Sequence, residues 1–342
     1  MIALCAVISG AEGWEDMEAD GHAQADWFKP FLDLPHGIPA SDPFRRVLCR
    51  LNPEDLTECV IHWTDSLRDS IEGAHVAMDG KTLRRSFDRA ADKGAIPMIS
   101  AWARAHRLVL GPLKVDDKSH DITAIPPLLG RLEWDGATVT LDAMGCQTEI
   151  ARPLVAHGAH DVLALKDTHA TLHGEGKLLV ETLTTTGWTA VTCDSYPSVD
   201  ADPGRIETRR DWLTDDMEWL GVKGSWAHMA GGGMVESRGE VGAAVSGERR
   251  YCLTSLGGEA ERFAQVVRQH GGIEHARHWV LDVSVREDDG RIRQGAGAQT
   301  LSVLRHIALN LIRRESSHKR GVKARRKRAG WDRRYRLHIL TG

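Results

Sequence analysis

Several features that would assign this chain to a familiar class are missing. No apolar run approaches the roughly 18 residues of a membrane-spanning helix, and acidic residues rather than a cleavage site follow the apolar start at residues 1–10. The six cysteines include no Cys-x-x-Cys pair, which argues against a disulfide framework or a structural zinc site. We therefore expect no membrane span and no signal peptide, and a chain that works in a reducing cytoplasm.

Three common phosphate-binding motifs are also incomplete. Residues 80–82 (GKT) resemble the end of a phosphate loop, but His75 stands where its first glycine is required. An aspartyl-phosphatase motif would need a second aspartate in place of Lys81. Residues 295–297 (GAG) lack the third glycine of a dinucleotide-binding turn, because Thr300 occupies that position. Nucleotide-binding folds of these types are therefore not supported.

Charge is unevenly distributed along the 342 residues. The formal net charge is −4, yet residues 313–336 contain twelve Lys and Arg against Glu315 and Asp332. That segment carries +10 and leaves −14 for the remainder. Such a concentration of positive charge is typical of a segment that binds nucleic acid. The competing interpretation is a solvated tail that only increases solubility.

Changes in the sequence pattern along the chain predict its domains. Residues 1–72 have helical periodicity, and Asn52-Pro53 is a helix-start signal within them. Residues 73–312 alternate strand-like and helical segments, which predicts an α/β domain. Within that domain, residues of about 170–250 are polar and rich in Gly and Trp, and we interpret them as a β-rich insertion. Residues 313–342 form the basic C-terminal tail.

Two short apolar runs end in an aspartate. His75–Met78 leads into Asp79, and Ala137–Leu141 leads into Asp142. The carboxyl ends of neighbouring strands in an α/β sheet converge on one cleft. Two carboxylates meeting there repel each other unless a divalent cation lies between them, and oxygen ligands favour Mg²⁺ or Mn²⁺ over zinc. The alternative is that both aspartates only cap turns.

Long segments of the chain resemble one family of bacterial transposases. The segments are LPHGIPASD at 34–42, AMDGKTLR at 77–84, KSHDITAIP at 118–126, VTLDAMGCQ at 139–147, GRIETR at 204–209, GIEH at 272–275, HWVLDV at 278–283, RED at 286–288 and RHIALN at 305–310. In this order they are similar to the ISAs, or H-repeat-associated, insertion-sequence transposases of the DDE group. The resemblance spans nearly the whole chain.

The resemblance implies a fold and a catalytic triad. It implies an RNase H-like mixed sheet flanked by helices, with a β-rich insertion and an N-terminal helical associated domain. It assigns the three acids to Asp79, Asp142 and Glu274, which would be both catalytic residues and metal ligands. Asp282 and Glu287 are the alternatives for the third acid, since they also lie in family-like segments.

The resemblance further implies a two-metal reaction on DNA. Two Mg²⁺ or Mn²⁺ ions would promote cleavage at the insertion-sequence ends and attack of the freed 3′-hydroxyls on target DNA. The partners would be the terminal inverted repeats and target DNA, bound by a dimer. The expected location is the bacterial cytoplasm, in association with the nucleoid.

Eight basic residues are candidates for phosphate contacts. Ordinary surface cations and ion pairs are the competing interpretation for them. The candidates are Lys81, Arg84, Lys118, Lys166, Arg268, Lys323, Arg325 and Arg326.

Some positions depart from the family pattern. Residues 167–169 read Asp-Thr-His where the family has Gly-Asn-Gln, and Gly271 and His275 stand where Trp and Asn are expected. The departures leave the triad acids in place but allow an alternative, a catalytically impaired DNA-binding remnant. A metal-dependent nuclease without strand transfer is a third hypothesis, which the long family motifs disfavour.

Overall fold

The structure is a computed structural model of the chain. It describes residues 1–67, 73–87, 94–103, 105–106, 108–114, 125–132, 134–166, 169–186, 192–202, 204–218, 220–221, 223–226, 228–273 and 279–341.

The described residues form twelve α-helices and nine β-strands. The helices are α1 (Ile2–Ser9), α2 (Trp14–Ala23), α3 (Ala25–Phe28), α4 (Ser41–Leu48), α5 (Pro53–Ser66), α6 (Ile125–Leu129), α7 (Thr148–Ala156), α8 (Ala170–Thr186), α9 (Ala260–Ile273), α10 (Gly297–Arg314), α11 (Val322–Trp331) and α12 (Arg333–Thr341). The strands are β1 (His75–Leu83), β2 (Ile96–Ala103), β3 (Leu108–Lys114), β4 (Thr138–Leu141), β5 (His160–Leu165), β6 (Cys193–Asp202), β7 (Arg205–Thr214), β8 (Gly231–Val241) and β9 (Ala244–Thr254). None of the helices in the described ranges is long and apolar enough to cross a membrane.

The described strands form a mixed sheet in the order β3-β2-β1-β4-β5-β9-β8-β7-β6. Strands β1, β4 and β5 are parallel, whereas β5 and β9 and the remaining insertion strands pair antiparallel. Buried parallel strands need near-continuous apolar residues, and β4 (TVTL) is buried along its whole length. This is the RNase H-like mixed sheet that the resemblance implied, and strands β6–β9 form the greater part of the predicted β-rich insertion. The insertion is not β-structured from its start, because Ala170–Thr186 form helix α8.

Contacts divide the chain into two compact units. The first contains Met1–Asp69, Gly80–His120 and Ile273–Gly342, and the second contains Ser70–Asp79 and Asp121–Gly272. In the first unit, the sequence IALCAVIS makes α1 apolar on nearly every side, so this helix is buried in a helical core with α2, α10, α11 and α12. Helices α5 and α10 of the same unit pack against β3.

The C-terminal basic segment is helical rather than an extended tail. Its helices α11 and α12 bury Ala329, Tyr335 and Ile339 in the core of the first unit, beside residues of α1. The segment therefore contributes apolar side chains to the core as well as charge to the surface. The domain boundaries proposed from the sequence, at residues 72 and 312, remain predictions.

The second unit is built on β4 and β5, with α7 against β5 and α9 against the insertion strands. Phe263 of α9 is fully buried beside Val235 of β8 and Leu213 of β7. A Cβ on Gly233 of β8 would overlap the Phe263 ring. The glycine therefore allows the strand to approach the helix closely.

Several sequence predictions differ from the structure in detail. β1 does not end at Asp79 but continues to Leu83, so Asp79 lies inside the strand. Gly231–Gly233, three consecutive glycines within the predicted insertion, do not form a loop but begin the eleven-residue strand β8. The helix start at Asn52 is confirmed, because its side chain accepts a hydrogen bond from the Glu54 amide at 3.0 Å.

Candidate active site

Asp79 and Asp142 follow directly on a pair of adjacent residues in neighbouring parallel strands. The register of β1 and β4 runs from His75 opposite Thr138 to Met78 opposite Leu141. Each aspartate is the next residue after this last pair, and both side chains are half-buried. The sheet therefore brings together the two aspartates that the sequence singled out, within the second unit.

The Asp142 carboxylate also organises the turn after β4. Its Oδ1 accepts hydrogen bonds from the amides of Met144 at 3.2 Å and Gly145 at 3.3 Å, at the start of a short 3-10 turn. Only Oδ1 takes part in these bonds. The aspartate thus caps a turn, as the bland interpretation expected, and still presents Oδ2 for another interaction.

A hydrogen-bonded chain of three side chains connects the strands of this site to α9. The Thr140 hydroxyl lies within hydrogen-bonding distance of two imidazole rings, 2.9 Å from His75 Nε2 and 2.8 Å from His270 Nδ1. Thr140 and His75 are buried. The chain therefore fixes the last turns of α9 to β4, two residues before Asp142.

The donor atoms near Asp142 fit a hard cation better than a soft one. Burial raises the pKa of the Cys146 thiol above its ordinary value, which disfavours the thiolate form that a soft metal binds. Carboxylate oxygens remain, and these are the ligands of Mg²⁺ and Mn²⁺. No group of three His, Cys, Asp or Glu residues suited to a metal occurs in the described part of the chain. Glu274 lies outside the described residues, as do His275 and His278.

Lys81 lies in a buried cluster of carboxylates in the first unit. Its ammonium pairs with Asp282, with Glu287 at 2.9 Å and with Asp288 at 3.4 Å, and its side chain is only 8% exposed. Burial alone would lower the pKa of Lys81, but the Glu287 and Asp282 carboxylates outweigh it and raise that pKa. The residue is thus a charged tether between β1 and the segment at 280–289.

Glu287, an alternative for the third acid, accepts a hydrogen bond on each of its carboxylate oxygens. One of its oxygens accepts from Lys81, and the other accepts from the Ser302 hydroxyl at 2.8 Å. Burial alone would raise the pKa of Glu287, but Lys81, His306 and Arg305 lower it to about 2. Asp282, the other alternative, is also paired with Lys81. Both carboxylates have protein partners.

The other predicted phosphate contacts differ widely in exposure. Lys166 and Lys323 are exposed, and Arg84 is 80% exposed with its Nε 3.3 Å from Asp288. Arg268 pairs with Asp200, which is the ion-pair interpretation of that residue. Lys118 lies outside the described residues.

Arg325 and Arg326 both donate to main-chain carbonyls. Arg325 reaches the carbonyls of Ile312, Glu315 and Arg320, while the buried Arg326 reaches those of Ser284 and Val7. Burial lowers the pKa of Arg326 to about 10. These bonds connect α11 to α1, α10 and the segment at 280–285.

Sequence reasoning missed the three-residue chain and the Lys81 cluster. His75 was noticed only because it breaks a glycine motif, and Lys81 lies more than 200 residues from Asp282 in sequence. The available signal was the family-like pair of segments at 77–84 and 286–288, each with opposite charges.

Comparison with known proteins decides the family. The model of the transposase DDE domain matches residues 71–311, and that of the DDE-associated region matches residues 1–64. The chain belongs to the DDE transposase family.

Individual transposases that are similar to this chain agree with the family assignment. The H repeat-associated putative transposase YhhI of Escherichia coli (strain K12) is 36% identical over 100% of this chain and 91% of its own length. The putative transposase YncI of Escherichia coli O157:H7 is 34% identical over 99% of this chain and 87% of its own length. A chain in a cryo-EM structure of the piggyBac transposase synaptic complex with hairpin DNA aligns with a TM-score of 0.41 at 12% identity, over 99% of this chain and 70% of that one. A likeness at that level supports no further inference.

Proposed function

We propose that this DDE transposase cleaves DNA at the ends of its insertion sequence and joins the freed 3′-hydroxyls to target DNA, with Asp79, Asp142 and Glu274 as the three acids. The observation that carries the proposal is the register of β1 and β4, in which both aspartates follow the pair Met78 and Leu141. Family membership supplies the reaction class, and the paired carboxylates supply the means to hold a cation.

The shape of the Asp142 site supports a metal-ligand role. The two amide bonds to Oδ1 hold the carboxylate in one orientation before any ligand arrives, and such preorganisation is what a catalytic ligand requires. Two neighbouring carboxylates without a cation would repel each other. Bound Mg²⁺ or Mn²⁺ would activate a water or 3′-hydroxyl and stabilise the leaving oxygen of the phosphodiester. The protein's own contribution is to hold the acids in position.

Glu274 is the third acid in this proposal because the alternatives, Asp282 and Glu287, already pair with Lys81. Both Glu287 oxygens are bonded, and removing them would leave the buried Lys81 without its main partner. Glu274 follows His270 by four residues in the sequence, and the His270 ring is hydrogen-bonded through Thr140 to the strand that leads to Asp142. This link supports an acid that is close to His270 in sequence.

We further propose terminal repeats and target DNA as the partners, bound by a dimer because the two ends of an element must be handled together. The exposed Lys166 after β5 supports this proposal, as does the positive charge of residues 313–336. Such charges supply the sequence-independent part of DNA affinity.

The decisive experiment follows a labelled fragment carrying the element's own ends, with Mg²⁺ or Mn²⁺. Wild type is compared with Asp79→Asn, Asp142→Asn and Glu274→Gln, and with Glu261→Gln on the exposed face of α9 as a matched control. We expect wild type and the control to free and join 3′-hydroxyls, and the three acid variants to bind DNA but remain inert.

Each departure from that result has a specific meaning. An active Glu274→Gln would remove Glu274 from the triad and direct testing to Asp282. Cutting of any duplex without joining would indicate a nuclease. Binding of the ends by wild type without any cleavage would indicate the DNA-binding remnant.

A further inference from the structure

The outward face of α11 carries two lysines and a tryptophan at regular spacing. Lys323, Lys327 and Trp331 follow one another at intervals of four residues, and all three are exposed, Trp331 to 80%. Residues four apart lie on one face of a helix, about 6 Å apart along its axis. The three side chains therefore form one stripe, which we name the α11 stripe.

The basic residues of this region divide into inward and outward groups. Arg336 is 1% exposed and pairs with Asp20 at 3.1 Å, and Arg326 is buried against main-chain carbonyls. The outward lysines, Lys323 and Lys327, form no ion pair with any residue that the structure describes. The inward group is thus accounted for by the fold, and the outward group is not.

In the isolated protein, the two lysines of the α11 stripe have unfavourable electrostatic interactions. Lys323 lies in the first turn of α11, which contains no acidic residue, so its charge faces the positive end of the helix dipole. Lys327 is four residues further on, and like charges at that spacing repel. A polyanion bound along the stripe would offset both costs.

The exposed Trp331 indicates which kind of polyanion the stripe would bind. An indole that is 80% exposed beside cationic residues matches the stacking platforms that hold unpaired bases next to a basic groove. A helix that binds a membrane surface would instead show a continuous apolar face, whereas this stripe has one aromatic residue after two lysines. The chemistry therefore favours nucleic acid with unpaired bases over a lipid surface.

We propose that the α11 stripe binds a DNA segment with unpaired bases, with Lys323 and Lys327 on successive phosphates and Trp331 stacked on a base. The inference rests on the proposed function, because cleavage of one strand at an element's end leaves a strand terminus whose last bases can unpair. It also assigns DNA contact to the outward lysines and a structural role to Arg326.

The test measures DNA binding by the full chain without metal, so that cleavage does not contribute. The probes are a fully paired duplex and the same duplex with a short single-stranded 3′ end, followed by fluorescence anisotropy over a range of salt. The variants are Trp331→Ala, Trp331→Phe and the double variant Lys323→Ala/Lys327→Ala. Lys177→Ala, an exposed lysine on α8, is the matched control. Thermal melts check that each variant is folded.

We expect Trp331→Ala to weaken binding of the probe with the single-stranded end by about 5- to 150-fold, with less than about a twofold change for the paired duplex. Trp331→Phe should retain most of the affinity. The double lysine variant should weaken both probes and reduce the slope of log affinity against log salt by about 1.8. Lys177→Ala should match wild type.

Other outcomes overturn the proposal and identify what fails. Equal losses on both probes for Trp331→Ala, or none, would remove base stacking. Binding to phosphatidylglycerol vesicles is measured in parallel. If the stripe variants lose vesicle binding while their DNA affinity equals that of wild type, the α11 stripe is a membrane-binding surface and the proposal fails. If wild type cleaves element ends while the stripe variants bind like wild type, only this inference fails. If wild type binds neither probe, the proposed function fails with it.

Discussion

The Thr140 hydroxyl lies 2.8 Å from His270 Nδ1 and connects β4 to the last turns of α9. The same hydroxyl contacts His75 Nε2 at 2.9 Å, so one side chain links two neighbouring strands and a helix. Asp142 follows Thr140 by two residues, and Glu274 follows His270 by four. If Asp142 is a catalytic acid, as proposed above, its position depends on a buried hydrogen-bonded side chain two residues before it in the chain.

Thr140→Val tests this positioning role. The substitution keeps the shape of the side chain but leaves two ring nitrogens without their shared partner, which costs about 1–3 kcal/mol of unfolding free energy. Misplacement of the acids should lower the single-turnover cleavage rate by about 10- to 100-fold while DNA affinity stays unchanged. The rate comes from labelled end fragments and the affinity from anisotropy without metal.

Thr138→Val is the matched control, because Thr138 is also buried and lies on the same face of β4 two residues earlier. It should cleave at nearly the wild-type rate. Wild-type cleavage by Thr140→Val would show that the three-residue chain has only a structural role.

Asp142 supports a second prediction, which separates its two roles. Asp142→Asn retains a carbonyl oxygen that can accept from the Met144 and Gly145 amides, whereas Asp142→Ala removes the cap. Both variants should lose cleavage, but only Asp142→Ala should also lose about 1 kcal/mol of unfolding free energy, the usual value of a helix cap. Urea unfolding and the cleavage assay together measure the two effects. Equal stability of the two variants would mean that the cap contributes nothing.

The part of the site that could be predicted from sequence is the part built from local patterns. Apolar runs of four or five residues identified β1 and β4, and the acids after them marked the cleft, because parallel strands in an α/β sheet share one carboxyl edge. Register then follows from the pairing of buried faces. The sequence does not reveal the extension of β1 beyond Asp79, because residues 79–81 are only partly buried, Thr82 is exposed and none of the four is apolar.

Strand β8 shows which structural features local sequence patterns cannot predict. Most residues of the outer half of β8 are at least partly exposed, so no burial pattern distinguishes them from a loop. Gly233 weakens the strand signal further, yet it is required there because the Phe263 ring packs against its Cα. Such a requirement depends on a helix that follows some 30 residues later in sequence and is visible only in the fold.

Glu287 supports a prediction about acid stability. Its pKa is lowered from 4.5 to about 2 in the folded chain. A carboxyl with a lowered pKa stabilises the fold at pH values above 4.5, and this contribution is lost as pH falls from 4.5 towards 2. Burial shifts the pKa of Asp282 upwards, so protonation of that group offsets part of the loss. We therefore expect the unfolding free energy of wild type to fall more steeply between pH 5 and 3 than that of Glu287→Gln.

Urea unfolding at a series of pH values measures these slopes, with Glu261→Gln as the exposed control. The control should follow the wild-type slope. An identical slope for Glu287→Gln would show that Lys81 does not depend on the charge of this carboxylate.

Arg326 and Lys323 lie three residues apart on α11 and should respond to substitution in opposite ways. Arg326→Ala removes the donors to the buried carbonyls of Ser284 and Val7 and should cost about 2–3 kcal/mol of unfolding free energy, with little change in the salt dependence of DNA binding by the folded protein. Lys323→Ala should change stability by less than about 0.5 kcal/mol, yet reduce the slope of log affinity against log salt by about 0.9. Urea unfolding and anisotropy on the same preparations provide both quantities. If Arg326→Ala instead reduces the salt slope and leaves stability at the wild-type value, Arg326 contacts DNA. Burial would then not distinguish the basic residues of this segment that bind phosphate from those that do not.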